Sequence, residues 1–120
     1  MTKKENLTEV GIVENQRIED KNAIKSQKFE MVKGCHYLNC VFYKCTFYCI
    51  FNCTFSDCLF IDCKFSKTIQ GSTFEDSKFY LSKFSDLNLH STRIVRSALK
   101  FCNFENMVTR NGTYFYHTKV

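Results

Sequence analysis

The sequence predicts an all-β solenoid, a square tube built from one short unit that recurs between Cys35 and Asn106. Three observations support this prediction. A pattern about five residues long recurs in fifteen units, and its first position is Cys, Ser or Thr in thirteen of them. The third position is large and apolar in every unit, and it holds ten of the thirteen Phe residues. All eight cysteines fall on the first position.

A five-residue period matches neither an amphipathic helix nor a simple alternating strand. In extended chain, however, the first and third positions point to the same side. Each unit therefore supplies two inward residues followed by a corner, and four units close one turn. Fifteen units give about four coils, stacked at roughly 4.8 Å. Because a single unit buries almost nothing, the stability of such a tube comes from stacking.

This pattern resembles that of the pentapeptide-repeat family, which has a large Leu or Phe at the centre of each unit and a small residue two positions earlier. The resemblance covers about seventy of the 120 residues and implies a right-handed quadrilateral β-helix. The first positions of the units form a column of small residues, which we call the small column. The sequence departs from the pattern at Lys67 and Leu87, which occupy this column, and at three four-residue units, 45–48, 49–52 and 63–66. We expect these shortened units to distort a corner and Lys67 to turn outward in a bulge.

The two ends lack the clear repeat. Residues 1–28 are predicted to be a flexible or capping segment with a short helix or irregular stretch, residues 29–106 the β-helix, and residues 107–120 a capping or dimerisation strand. The repeat continues formally with Met107 and Tyr114 in inward columns. The last strand either closes the tube or pairs with a second copy, and the resemblance implies a homodimer. The predicted dimerisation residues are Met107, Tyr114, Phe115 and Tyr116.

Composition favours one domain in a reducing compartment. The chain has no apolar run near 18 residues and no signal-peptide core, so we expect a soluble cytoplasmic protein without membrane contact. The cysteines could be buried free thiols, oxidised pairs or metal ligands. Free thiols are favoured because Ser and Thr replace Cys at equivalent positions and because the spacing is unlike that of zinc sites. No metal and no cofactor are therefore expected.

Catalysis is not expected. His36, His90 and His117 fall on different walls or in the tail, and Glu75 and Asp76 occupy adjacent positions at a corner. A convex rod also lacks a cleft that excludes water. The sequence therefore predicts no catalytic residue and no enzyme.

Assigning the units to four walls in rotation makes one wall unusual. Eight of its twelve outward residues are apolar or aromatic, whereas the other three walls are polar. Such a patch is usually covered, here by a protein partner, by a second copy or by the N-terminal segment of the chain itself. The predicted protein-binding residues are Val41, Tyr43, Leu59, Ile61, Tyr80, Leu81 and Phe101.

These features predict a non-catalytic binding protein with a protein partner. Well-known members of the resembled family imitate duplex DNA and bind DNA gyrase, which requires an acidic surface; here acids and bases are balanced, with a spread net charge of +5. We therefore expect an inhibitor or modulator of a bacterial nucleic-acid-processing enzyme or defence complex, of gyrase or CRISPR type, acting without DNA mimicry. The alternatives are a docking domain of a bacterial effector and direct nucleic-acid binding. The residues predicted for nucleic-acid binding are Lys78, Lys83, Arg93, Arg96, Lys100 and Arg110.

Overall fold

The computed structural model describes residues 7–120, which form seventeen β-strands in three parallel sheets and contain no helix. The first face consists of β2 (Arg17–Glu19), β5 (His36–Leu38), β8 (Thr54–Ser56), β11 (Thr73–Glu75), β14 (Arg93–Val95) and β17 (Tyr114–Tyr116). The second face consists of β3 (Ile24–Lys25), β6 (Val41–Tyr43), β9 (Leu59–Ile61), β12 (Lys78–Tyr80) and β15 (Ala98–Lys100). The long strands are β1 (Thr8–Glu14), β4 (Gln27–Lys33), β7 (Thr46–Phe51), β10 (Lys64–Gln70), β13 (Lys83–His90) and β16 (Asn103–Arg110).

Each long strand continues through two units and supplies two walls of the tube. Paired strands in every sheet are three elements apart along the chain, so each turn of the solenoid uses three strands. Within β10, β13 and β16 the backbone turns a corner at Lys67, Asp86 and Asn106, where φ is 73°, 52° and 56°. The N-terminal halves of the long strands form the third face and the C-terminal halves form the fourth face. The architecture is thus the all-β, four-sided solenoid that the repeat predicts.

The solenoid has about six turns, rather than the four predicted, because the N-terminal region also contributes rungs. Residues 8–33 form β1 to β4, in which Val13, Ile18 and Ile24 pack partly buried against the core. The expected helix is wrong for residues 7–28, since Thr8–Glu14, Arg17–Glu19 and Ile24–Lys25 are strands that pair with the next rung. Residues 1–6, which belong to the same predicted segment, lie outside the described residues. Residues 7–120 contain no helix long and apolar enough to cross a membrane.

The core consists of four columns of side chains along the tube axis. One column stacks Phe47, Phe65 and Phe84 with ring centroids 5.2 and 5.0 Å apart. The columns behind the first two faces are also aromatic, and Phe60 and Phe79 are nearly parallel at 4.7 Å. The fourth column is aliphatic, with Val32, Ile50, Ile69 and Leu89 fully or almost fully buried. Rings in neighbouring columns meet mostly edge to face, an arrangement that their quadrupoles favour.

The small column is explained by hydrogen bonding to main-chain carbonyls. The Cys58 thiol donates to the carbonyls of Ser56 and Tyr37, each at 3.4 Å. The hydroxyl of Ser77, one rung later, donates in the same way to Glu75 and Phe55 at 2.9 and 3.4 Å. Thiol and hydroxyl therefore have the same structural role, and all eight cysteines are free thiols.

The shortened units alter the corner between the third and fourth faces, as expected. The pairing register shifts between Phe65 and Lys67, and Lys67 is exposed in the bulge. The assignment of residues 49–52 was wrong, however: Ile50 is fully buried and pairs with Ile69, whereas Phe51 pairs with Gln70 outside the core. Cys49 consequently leaves the small column and is only partly buried. Counting from Cys49 predicts Phe51 at the third, inward position and Ile50 at the second, outward position, and the structure reverses both.

The C-terminal end is also one residue out of the predicted phase. Thr113 occupies the small column, since its hydroxyl donates to the Leu89 carbonyl at 3.1 Å. Phe115 therefore packs against the core, while Tyr114 is 46% exposed on the first face. A bridge between Ala98 and Lys119 extends the second face beyond β15.

Candidate protein-binding face

The second face presents two outward columns of side chains. One contains Val41, Leu59, Lys78 and Ala98, and the other contains Lys25, Tyr43, Ile61, Tyr80 and Lys100. Because the strands are parallel and in register, each side chain stacks on its equivalent one rung away. Apolar residues occupy the middle of the face, and Leu59 and Ile61 are only half-buried there.

A third outward column follows at the corner, where two large apolar residues have an unfavourable backbone conformation. Leu81 has φ 55° and Phe101 has φ 53°, and their exposures are 49% and 75%. This left-handed conformation costs about 1–2 kcal/mol for an ordinary L-residue, whereas Asn, Asp and Gly tolerate it. Asn39 and Asp57 hold equivalent corner positions elsewhere, as local conformation prefers. Leu81 and Phe101 therefore have neither burial nor backbone preference to explain them.

A shallow depression of about 500 Å³ lies beside this corner. Its apolar lining comes from Leu59, Ile61, Phe79, Tyr80 and Ala98. The stems and ammonium groups of Lys78, Lys100 and Lys119 complete the lining.

Charge is unevenly distributed on this surface. Lys25, Lys44, Lys78, Lys100 and Lys119 lie on or beside the second face, and Asp62 is the acid of its corner column. The opposite corner, between the first and second faces, carries Asp57, Asp76 and Arg96, so acids as well as lysines border the second face. The lining of the depression itself, however, is charged by lysines alone.

Known proteins resemble this chain in fold rather than in sequence. No family model matches the sequence, and no curated protein matches it. A trypsin-treated variant of QnrB1, a plasmid-mediated fluoroquinolone resistance protein, matches with a TM-score of 0.50 and 14% identity over 92% of this chain and 71% of that one. Full-length QnrB1 matches with a TM-score of 0.42 and 15% identity over 92% and 70% of the two chains. A pentapeptide repeat protein, Rfr23, from the cyanobacterium Cyanothece 51142, matches with a TM-score of 0.35 and 9% identity over 90% and 88%.

The chain has the pentapeptide-repeat fold. Together with the repeated units of the sequence, this fold supports the resemblance to the pentapeptide-repeat family. At such low identity the likeness concerns the fold alone, so the partner and activity have to be argued from the surface of this chain.

All seven residues predicted for protein binding lie on the second face of this pentapeptide-repeat solenoid or at its corner. Residues 7–33 extend the stack as further rungs, with β3 pairing along the edge of β6. They do not fold back across the apolar face, so that part of the N-terminal segment is not its cover. Residues 1–6 lie outside the described residues.

The six residues predicted for nucleic-acid binding do not form one surface. Lys78 and Lys100 lie on the second face and Lys83 on the third. Arg93 belongs to the first face, Arg96 lies at the corner between the first and second faces, and Arg110 lies at the end of the fourth. Arg96 is also engaged by Asp76, with its two hydrogen bonds measuring 2.9 and 3.1 Å.

Of the four residues predicted for dimerisation, two face the tube interior at its open end. Met107 and Phe115 pack partly buried against the core, because no further rung covers them. Tyr114 and Tyr116 point outward from the first face beside Arg93 and Val95. The end of the tube and the side of the first face are therefore distinct surfaces.

A polar ladder across the rungs of the first face was missed by the sequence analysis. His36 Nε2 lies 3.2 Å from Ser56 Oγ, and that hydroxyl donates to Glu75 Oε1 at 2.7 Å. Arg96 Nη2 follows at 3.8 Å from Glu75 Oε2, and its hydrogen bonds to Asp76 lower the pKa of that carboxyl. The signal was available as polar outward residues 19–21 positions apart. Each of these contacts joins one rung to the next, so the ladder stabilises the stack. It lies on an open face rather than in a cleft.

The part of the chain that the structure describes has no candidate metal site. Residues 7–120 contain no group of three or more His, Cys, Asp or Glu side chains placed to hold a metal ion. The buried thiols are also poor ligands, because burial raises the pKa of Cys53 to about 11 and that of Cys58 to about 12.

Proposed function

We propose that this pentapeptide-repeat protein is a non-catalytic protein-binding module that docks through its second face. The observation that supports it is the exposed apolar corner formed by Leu81 and Phe101 beside an apolar depression. Large apolar residues kept in a costly conformation without burial are better explained by a partner than by folding.

The second face has the composition of a binding hot spot. Aromatic anchors dominate the energy of many protein interfaces, and Tyr43, Tyr80 and Phe101 are all exposed here. The rungs beneath them are held by backbone pairing and by stacked Phe rings. A surface fixed in this way loses little conformational entropy on binding, which improves affinity.

The target that we propose is a bacterial nucleic-acid-processing enzyme or defence complex, of gyrase or CRISPR type, which this protein inhibits or modulates. The fold is shared with QnrB1, a fluoroquinolone resistance protein. Imitation of DNA phosphates is not part of this proposal, because the apolar second face carries lysines rather than a row of acids. In this mechanism the solenoid occupies a surface of its target and blocks or holds it.

The decisive experiment compares two charge-matched variants. Ile61→Asp with Tyr80→Asp changes the second face, and Gln70→Asp with Asn88→Asp changes the fourth face, where both native residues are exposed. Each purified protein is immobilised and tested for capture of purified gyrase and CRISPR effector complexes, and for inhibition of DNA supercoiling and target cleavage.

We expect the fourth-face variant to behave like the native protein and the second-face variant to lose at least about 10-fold in affinity, which corresponds to about 1.4 kcal/mol. Circular dichroism and urea unfolding establish that both variants remain folded. Equal binding by both variants would overturn the second face as the docking surface. Absence of any effect of the native protein on these enzymes would overturn the target class.

A further inference from the structure

We propose that the second face selects an acidic protein segment, one in which Asp or Glu side chains flank large apolar side chains. This inference rests on the proposed function and adds the chemistry of the partner. Three observations support it: lysines line the apolar depression, the apolar lining is mostly aliphatic, and a two-fold dimer through this face would bring like charges together.

Lysines are the charged residues that line the apolar depression. Lys78, Lys100 and Lys119 line it directly, and none of its lining residues is acidic. Lys44 lies one corner away, with its ammonium 5.5 Å from the Tyr43 ring centroid. Lysine stems can cover apolar surface while the charged ends stay in water, so apolar contact and charge attraction are available together. An acidic segment with apolar anchors would use both.

The other faces do not have this combination. At the corner of the first face, Arg96 is engaged by Asp76 and Glu75, so its positive charge is locally compensated. On the third face, Lys28 is within 3.7 Å of Glu9. Lys64 and Lys83 are exposed there, but their column continues with the polar residues Thr46 and Asn103. A partner with negative charge and apolar anchors therefore meets its best complement on the second face, where charge complementarity also increases the association rate.

A nucleic acid is also an anion, but this surface suits it less well. Leu59, Ile61 and Ala98 give the depression an aliphatic lining. Of its two aromatic residues, Phe79 is buried and only Tyr80 is exposed, whereas binding of a single strand uses several rings on which successive bases stack. Tyr80 and Phe101 contact each other edge to face, at 5.6 Å and 88°. The cations of this face are all lysines, whereas arginine provides the bidentate geometry for phosphate.

A second copy of the chain is disfavoured as the occupant. A two-fold dimer through the second face would bring the same patch of each protomer together. Two copies of the depression, each lined by three lysines and no acid, would then repel each other. Association of copies is therefore expected elsewhere, and the second face stays available to an acidic partner.

The test uses fluorescence anisotropy with labelled peptides of about twelve residues, a length that spans the face at roughly 3.3 Å per residue. The main probe alternates Glu with Leu. One comparison peptide has Lys in place of Glu, a second has Ser in place of Leu, and a single-stranded oligothymidine of equal charge is the nucleic-acid probe. We expect the Glu/Leu peptide to bind at least about 10-fold more tightly than each comparison probe. Its affinity should fall as salt rises, because the attraction is screened.

Matched variants locate the effect. Lys78→Glu with Lys100→Glu should reduce binding of the Glu/Leu peptide by at least about 10-fold and increase binding of the Lys/Leu peptide. Lys64→Glu with Lys83→Glu, which changes the same number of charges on the third face, should leave both affinities within about 2-fold of native. Tighter binding of oligothymidine, no preference among the peptides, or equal effects of the two variant pairs would each overturn the inference.

The outcomes separate this inference from the proposed function. If Ile61→Asp with Tyr80→Asp abolishes capture of the target and Lys78→Glu with Lys100→Glu does not, the face binds a protein but the acidic-segment inference is wrong. If neither pair affects capture, the proposed docking face is wrong as well. Loss of capture in both pairs, with native behaviour of the third-face control, supports both.

Discussion

The rings of Tyr80 and Phe101 meet edge to face at the corner of the second face, with centroids 5.6 Å apart and planes at 88°. Both rings are exposed, at 40% and 75%. In the core, by contrast, the pair Phe60 and Phe79 stacks in parallel at 4.7 Å and is removed from solvent. The surface pair therefore contributes little to the core and keeps two large aromatic side chains oriented toward whatever approaches this corner.

The corner conformation leads to a first prediction, which sets stability against binding. Leu81→Asn should raise the free energy of unfolding by about 0.5–1 kcal/mol, because Asn tolerates the left-handed conformation that costs Leu about 1–2 kcal/mol. The net gain is smaller than this cost because apolar contact is lost at a half-exposed site. The same change should weaken binding of the Glu/Leu peptide, since it removes an anchor. Urea unfolding and fluorescence anisotropy on the same preparation measure the two effects.

The control for this prediction is Asp62→Asn, one rung away in the same corner column, where φ is 52° and the native residue already suits the conformation. Its stability should change by less than about 0.5 kcal/mol. A Leu81→Asn protein that is less stable than the native one would show that Leu81 is retained for folding rather than for binding.

The phase of the repeat at residues 49–52 gives a second prediction. Ile50→Ala should lower the free energy of unfolding by about 2–5 kcal/mol, because Ile50 is fully buried in the aliphatic column and truncation leaves a cavity. Phe51→Ala removes more atoms but should cost less, since Phe51 lies outside the core. Urea unfolding of the two variants checks the order, and a larger loss for Phe51→Ala would contradict the register of β7.

This slip shows where sequence reasoning reached its limit for the fold. Phe and Cys at a fixed spacing predicted the tube and its small column, because side-chain direction alternates along extended chain. At residues 49–52, however, Ile50 and Phe51 are adjacent and both apolar, and counting from Cys49 favoured the wrong one. Only pairing with Ile69 on the next rung decides between them.

The N-terminal rungs and the charge of the second face escaped for a related reason. Val13, Ile18 and Ile24 are neither aromatic nor preceded by regular small residues, so the repeat could not be recognised there. The same gap hid Lys25, and Lys119 joins the second face only through its bridge to Ala98. Rotation of the units identified the apolar face, but backbone conformation was needed to single out Leu81 and Phe101 at its corner.

The buried thiols give a third prediction, on alkaline pH. Burial raises the pKa of Cys53 to about 11 and that of Cys58 to about 12, from an ordinary value of 9.0. Between the ordinary pKa and the raised values, the folded protein keeps both thiol protons while the unfolded chain loses them, so the unfolded state binds fewer protons. The contribution of the two thiols to the free energy of unfolding is therefore fully present below about pH 9. It is lost as the pH rises toward their pKa values in the folded state, at about 1.4 kcal/mol per pH unit for each thiol.

Urea unfolding at about pH 8 and about pH 10 measures this effect. Native protein should lose on the order of 2–3 kcal/mol between the two through these thiols, and Cys53→Ser with Cys58→Ser should lose correspondingly less, since hydroxyls do not titrate in this range. Serine is a suitable replacement because Ser77 makes the same carbonyl hydrogen bonds in this column. Cys49→Ser, which removes a thiol at a partly buried position outside this column, is the control for the substitution itself. Identical pH dependence of the double variant and the native protein would contradict the assignment.

The open C-terminal end leads to the last prediction, on association of the chain with itself. Met107 and Phe115 pack against the core on one side only, and the edge of β16 has no further strand to pair with among residues 7–120. An uncovered end of this kind favours end-to-end pairing of two solenoids, which would bury both apolar layers. We therefore expect light scattering to give twice the 14.2 kDa mass of the chain.

Two variants distinguish the end of the tube from its side. Met107→Glu places a charge in the end layer and should shift the protein toward monomer, with circular dichroism used to check that the solenoid persists. Tyr114→Ser with Tyr116→Ser changes exposed side chains of the first face and should leave the dimer intact, because both rings point away from the end layer. A dimer that survives Met107→Glu but not the tyrosine variant would move the interface to the first face, and a native protein of monomer mass would exclude the dimer altogether.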